Sequence, residues 1–130
     1  MNKSKARFAD SVIEKIREDK ILGIRAGKNS THRVIGVWVV VLDGRLYVRS
    51  YQLKPNGWWQ TLLVDPYGEI FVARRKRGIK VRAVQVKSEK MKEKVSAAYK
   101  EKYKTPGSVQ YVREMSRKKS RDTTTGLVPI

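Results

Sequence analysis

The sequence predicts a mainly β fold with flanking helices, its strands curling into a closed or half-closed barrel. Three observations carry that expectation. Residues 33–52 (RVIGVWVVVLDGRLYVRSYQ) place Asp43-Gly44 between two runs rich in β-branched and aromatic residues. Asp-Gly is a strong two-residue hairpin signal because both loop positions must tolerate positive φ. A second hairpin pattern follows at 69–86, and two segments with helical periodicity flank the strands. A sheet of five or six strands in a chain of 130 residues has one small core and must limit its edges, which favours closure.

In chain order, Phe8, Val12 and Ile16 recur every four residues, with Ala9 and Ile13 alongside, and predict a helix from Phe8 to about Asp19 with one apolar stripe. Residues 21–26 (ILGIRA) read as a short strand, and Gly27 to Arg33 (GKNSTHR) as a polar loop. In the central hairpin the Asp-Gly turn sets the register, with Leu42 opposite Arg45, Val40 opposite Tyr47 and Trp38 opposite Arg49. One face then carries Val37, Val39, Val41, Leu46 and Val48, and belongs in a core. The other carries Trp38, Val40, Tyr47, Arg49 and Tyr51. That second face, apolar but studded with aromatics and an arginine, is expected to be covered by a ligand or another chain rather than by the protein's own core.

Leu53 to Gly57 is a loop carrying proline and glycine. Trp58 to Val64 is either a strand or a short helix, since periodicity does not choose between them. Asp65-Pro66-Tyr67-Gly68 is a turn with proline at its favoured second position. Glu69–Ala73 and Ile79–Val86 form the second hairpin, around the basic tip Arg74-Arg75-Lys76-Arg77. Ser88 is placed to cap a helix running to about Tyr103, on which Met91, Val95, Tyr99 and Tyr103 share a face. Thr105-Pro106-Gly107 ends it. Val109 to Arg113 is expected as a last strand, and Arg117 to Arg121 as an exposed basic linker. Residues 1–7 and 114–122 are expected to be flexible within a single domain spanning 1–130, while TTTGLVPI at 123–130 turns apolar and docks.

Composition narrows the chemistry. Without cysteine there is no disulfide framework and no thiolate nucleophile or metal ligand. A single histidine, His32, argues against a His-rich metal site, so no metal is expected. No apolar run reaches the roughly 18 residues of a membrane span, which predicts a soluble, cytoplasmic protein. The formal charge of +18 attracts polyanions, although lysines spread along a chain also serve simply as a solvated surface. Paired carboxylates placed for acid–base work are absent.

Candidate site residues follow. The loop Gly27 to Arg33 offers a glycine, backbone N–H groups, hydroxyls and cations to a phosphate, although no Gly-Lys-Ser/Thr opens a helix as in a P-loop. Arg49 either stacks on Trp38 as a cation–π pair or grips a phosphate or carboxylate in an aromatic-walled site. Neighbours on a strand point to opposite faces, so at most one of Trp58 and Trp59 belongs to the main core, and the other is a ligand platform or an interface anchor. Tyr99 and Tyr103 are either core residues with hydroxyls at the edge or phenols donating to a substrate oxygen.

Taken together, GKNSTHR, VWVVVLDGRLYVRSY, WWQTLLVDPYGEIFV, IKVRAVQV, SEKMKEKVSAAYKEKY and the closing TTTGLVPI resemble the flavin-binding split-barrel proteins of the pyridoxamine-phosphate-oxidase-like type. The nearest groups are the deazaflavin-dependent nitroreductases and a related bacterial family of unknown function. The likeness covers about residues 21–130. It implies a six-stranded split β-barrel with flanking helices, a homodimer, and a groove beside the barrel for FMN or a deazaflavin coenzyme. It further implies that Gly27, Lys28, Ser30 and Arg33 hold the cofactor's acidic tail, that Trp58 and Trp59 line the pocket, and that Tyr99 and Tyr103 face the substrate. The relatives' Gly-x-x-Ser-Gly is not kept, since Ser30 is followed here by Thr31-His32-Arg33.

Three functions therefore stand: a flavin- or deazaflavin-binding oxidoreductase acting on a small molecule, with Arg49, Lys28 and Arg33 as the cofactor's grip; a cofactor-free dimer with a structural or regulatory role; and a basic barrel that binds nucleic acid through Trp38, Tyr47, Tyr51 and the Arg74–Arg77 tip.

Overall fold

The computed structural model describes residues 7–28, 31–51, 57–72 and 78–130. Six strands close into an antiparallel barrel: β1 (Ile21–Ala26), β2 (Ile35–Leu42), β3 (Arg45–Val48), β4 (Tyr67–Phe71), β5 (Ile79–Gln85) and β6 (Thr125–Pro129). Around the barrel they run β1-β2-β3-β6-β5-β4, and β4 returns to pair with β1. Among the described residues closure leaves no unpaired sheet edge, the outcome a small sheet needs.

The central hairpin forms as its turn dictates. Asp43 and Gly44 take φ of 52° and 75°, and the ladder pairs Leu42 with Arg45 and Val40 with Tyr47. The expected third pair, Trp38 with Arg49, lies beyond the ladder because β3 ends at Val48. Val37, Val39, Leu46 and Val48 point into the barrel with Leu22, Ile24, Ile70, Val81 and Leu127, and Val41 packs partly against them. Each such aliphatic side chain taken from water contributes about 1.5–3 kcal/mol. The helix α1 (Asp10–Glu18) adds Val12 and Ile16 to the same core, preceded by Phe8, as the fourfold spacing requires.

The segment at 58–64 is a helix, α2 (Trp58–Val64), with Leu62 buried. Its Thr61 hydroxyl donates to the carbonyl of Gly57 at 3.1 Å. Ser88 caps α3 (Glu89–Lys102), its hydroxyl accepting the Met91 N–H at 3.2 Å. The expected strand at 109–113 is instead part of a helix, α4 (Pro106–Met115). Pro106 suits a first helical position, and Ser108, Val112 and Met115 bury one helical face at i, i+4 and i+7.

Nor is 114–122 a loose linker. Its second half contains α5 (Lys118–Arg121), Ser120 is buried, and Arg121 forms ion pairs with Glu89 and Glu93. The end docks as β6 between β3 and β5. Of the expectations for loose or basic loops, residues 1–6, 53–56 and the 74–77 tip lie outside the described residues.

The second face of the hairpin departs from expectation. Val40 and Tyr47 are covered by the chain itself: Val95 and Tyr99 from α3, Tyr103 at its C-cap, and Val112 and Met115 from α4 make a second core outside β2 and β3. Only the end bearing Trp38 and Tyr51 stays open.

Candidate functional site

That open end is a groove of about 660 Å³. Its walls are Trp38 on the outside of β2, Ile21 paired with it from β1, Ile35, Tyr51 after β3, Trp58 at the start of α2 and Tyr111 on α4; Arg49, Ser50 and Met115 also border it. Four separate parts of the chain thus bring two indoles and two phenols to one apolar cleft. Its volume lies within the range of small-molecule and cofactor sites, about 300–1,000 Å³.

The aromatic side chains are held by one another. Trp38 lies flat on Tyr103, with centroids 4.1 Å apart and planes 3° from parallel. Tyr111 meets Trp38 edge-on at 6.1 Å and Tyr51 at 5.3 Å. Offset stacking and edge-to-face contacts are the arrangements that ring quadrupoles favour. Tyr51 also donates its hydroxyl to Glu114 Oε1 at 2.9 Å, and that hydrogen bond raises the phenol's pKa.

Arg49 is only 2% exposed. Its Nε donates to Thr124 Oγ1 at 2.8 Å, Nη1 to Ser96 Oγ and the Met115 carbonyl at 2.9 Å each, and Nη2 to the Lys92 carbonyl at 2.8 Å. The guanidinium faces the Tyr99 ring at 5.7 Å, not Trp38. Neither expected role describes it: Arg49 is a buried clasp joining β3 to α3, to the end of α4 and to the approach to β6. Burial pushes its pKa down to about 10, so it remains a cation at neutral pH.

Tyr99 and Tyr103 are core residues, correcting the expectation that they face a substrate. Tyr99 is fully buried and donates to the Trp38 carbonyl at 2.9 Å. Tyr103 donates to the Lys20 carbonyl at 2.6 Å and accepts the Val39 N–H at 3.1 Å. Desolvation raises both phenols, Tyr103 to about 12. Neither lines the groove, although Tyr103 backs its wall through Trp38.

The two adjacent tryptophans divide. Trp58 lines the groove and packs partly on the barrel core. Trp59 turns away, its indole N–H donating to Gln85 Oε1 at 3.0 Å. In the loop expected to hold an acidic tail, Gly27 has a φ of 100° and its N–H bonds the Tyr67 carbonyl. The Lys28 N–H bonds Asp65 Oδ2 at 2.8 Å, and its ammonium lies 5.9 Å from the Tyr67 ring centroid. Arg33 is exposed two residues before Ile35 of the groove, and Ser30 lies outside the described residues. The structure thus brings Arg49 and Trp58 to the groove, leaves Tyr103 behind its wall, and directs Gly27, Lys28 and Trp59 to other contacts.

Of the nucleic-acid surface expected on the hairpin, Tyr47 is buried in the second core, Trp38 and Tyr51 line the groove instead, and the Arg74–Arg77 tip lies outside the described residues. Sequence reasoning missed Tyr111 because its segment reads as a strand. The 108/112/115 spacing was the available signal. Among the described residues no group of three or more His, Cys, Asp or Glu is placed to hold a metal, and no helix is long and apolar enough to cross a membrane.

Comparison with known proteins places this geometry. The profile of a family described as an uncharacterised protein conserved in bacteria, DUF2255, matches residues 11–127. The chain belongs to this family. No curated protein matches the DUF2255 chain by sequence. Among solved structures it is similar to the conserved hypothetical protein Rv2991 from Mycobacterium tuberculosis, with a TM-score of 0.61 and 14% identity over 100% of this chain and 84% of that one. It is also similar to HutZ, the heme storage protein from Vibrio cholerae, with a TM-score of 0.64 and 15% identity over 95% of this chain and 89% of that one. At these identities the likeness establishes the fold: the DUF2255 chain is a six-stranded split barrel with flanking helices.

Proposed function

We propose that the groove holds the flat conjugated ring of a flavin- or deazaflavin-type cofactor, and that the protein is an oxidoreductase acting on a small molecule. The observation that carries this reading is the cleft of about 660 Å³ walled by Trp38, Tyr51, Trp58 and Tyr111. Aromatic faces exclude water from a planar ring and stack on it, while the bound cofactor would supply the hydride or electron chemistry. The ring portion fits these residues. For an acidic tail, Arg49 is already engaged inside the chain, and two exposed cations flank the groove lining in sequence, Lys20 next to Ile21 and Arg33 two residues before Ile35. The exposed Tyr111, rather than Tyr99 or Tyr103, is the phenol positioned to meet a substrate. Exposed Ile21, Val34, Ile35 and Tyr51 in and beside the groove suit closure by a second copy, and the reading expects a homodimer in sedimentation.

The test is an absorption and fluorescence titration of purified protein with FMN and with the deazaflavin coenzyme. Saturable micromolar binding to either, weakened about tenfold by Tyr111→Ala, is expected. Absence of binding to both overturns the reading.

One observation favours a second planar ligand. The apolar, aromatic walls of the groove also suit the flat macrocycle of a porphyrin, the ligand class named for HutZ. Met115 and the groove tyrosines are residue types that ligate haem iron. A Soret band that shifts and saturates on addition of haemin, with no response to either flavin, would establish this reading in place of the first.

A further inference from the structure

On the side of the barrel away from α3 and α4, no described helix packs extensively on β4 or β5, and the outward residues of these strands form an open sheet face. Alternation along β4 sends Gly68 and Ile70 inward and Tyr67, Glu69 and Phe71 outward; along β5 it sends Val81 and Ala83 inward and Lys80, Arg82 and Val84 outward. The ladder sets Tyr67 directly against Arg82 and Glu69 against Lys80, while Arg25 of β1 stands beside Glu69.

The charge on this face is lopsided. Four cations, Arg25, Lys28, Lys80 and Arg82, meet Glu69, with Asp65 at the Lys28 end. Arg25 bonds Glu69 at 3.4 Å, and Lys28, Lys80 and Arg82 remain exposed. On the helical side basic residues are interleaved with acids, as where Arg121 joins Glu89 and Glu93 and Lys118 joins Asp122. The sheet face lacks that compensation. Its aromatic is open as well: Tyr67 is 37% exposed, with the Lys28 ammonium 5.9 Å from its ring centroid and Arg82 across the ladder.

We infer that this face binds single-stranded nucleic acid, with Tyr67 as a stacking platform for a base and Lys28, Lys80 and Arg82 as contacts to the flanking phosphates. An exposed ring among cations on a barrel sheet is the arrangement that grips a single strand without sequence readout, because every base offers a π-face. A duplex hides those faces, and a lipid headgroup offers none. The inference uses no residue of the groove and stands or falls separately from it.

The test is fluorescence anisotropy of the full chain with a labelled oligothymidylate, a duplex of equal length, and phosphatidylserine–phosphatidylcholine vesicles, across a salt series. The single strand is expected to bind at least tenfold more tightly than the duplex, and the vesicles not to compete. Tyr67→Leu is expected to weaken binding about tenfold with the salt slope unchanged. The double variant Lys80→Gln/Arg82→Gln should reduce the log–log slope by about 1.4, since each single-strand phosphate contact contributes about 0.7. Lys118→Gln/Lys119→Gln, on the helical side, should leave both quantities alone. All the substituted positions are exposed, so unchanged thermal melts are expected to verify folding. Duplex or vesicles binding as tightly as the single strand, full affinity in Tyr67→Leu, or an unchanged slope in the sheet-face double variant would overturn the inference.

Discussion

The Trp38 indole lies parallel to the Tyr103 ring at 4.1 Å, so the wall of the groove and the core of α3 share one stacked pair. Tyr103 is fixed in turn by its hydroxyl between the Lys20 carbonyl and the Val39 N–H. The groove wall therefore inherits the rigidity of the barrel rather than that of a loop.

Tyr103→Phe keeps the stack and removes the hydroxyl. Loss of about 1–2 kcal/mol is expected in chemical denaturation at neutral pH, with the Val39 N–H and Lys20 carbonyl left short of a partner. The pH dependence follows from the raised phenol. Its folded pKa of about 12 exceeds the ordinary 10.0, so the stability it contributes is complete below pH 10 and is lost as pH rises from 10 towards 12. The gap between wild type and Tyr103→Phe should narrow across that window.

Arg49→Ala should be among the most damaging single changes. It opens a cavity and leaves the Lys92 and Met115 carbonyls and the Thr124 and Ser96 hydroxyls without their donor. A loss of about 4 kcal/mol or more is expected by urea denaturation. Arg49→Lys should recover only part of it, because one ammonium cannot reproduce a planar fork spread over four acceptors. Stability close to wild type in Arg49→Ala would contradict the clasp.

Two glycines should respond oppositely to alanine. A Cβ at Gly68 would meet the Arg25 carbonyl oxygen at 2.6 Å, a backbone atom of the strand that closes the barrel. Gly68→Ala should cost about 1–3 kcal/mol by overpacking. Gly107, in the first turn of α4, has nothing within 4 Å of such a Cβ, and Gly107→Ala should stabilise by about 0.4–1 kcal/mol. Paired thermal melts of the two variants check both signs.

The cap of α3 offers a smaller test. Ser88→Ala removes the acceptor for the Met91 N–H and should cost about 1 kcal/mol, measurable as a lower urea midpoint at unchanged slope.

What could be read from the sequence was local. Asp43-Gly44 specified the hairpin and its register because turn conformation and pairing are settled within ten residues. Ser88 specified the start of α3 for the same reason. Pro106 was legible too, but it serves two grammars: the same Thr-Pro-Gly that stops one helix opens the next, and α4 was lost to the first meaning. The covering of Val40 and Tyr47 was not legible, because the residues that cover them arrive from α3 and α4, far along the chain. Arg49 shows the same limit, since its four acceptors lie 43 to 75 residues away. An arginine among aromatics in sequence signals a ligand and a clasp equally, and only the packed structure separates them.

The strand β6 enters between β3 and β5, which have no other neighbours on those sides. During biosynthesis, every other strand therefore leaves the ribosome before the one that joins the two sheet margins. Until residues 125–129 arrive, β3 and β5 present unpaired backbone to solvent or to a second chain. Closure of the barrel therefore waits on its last strand, and β6 is the one element whose pairing removes both sheet margins at once.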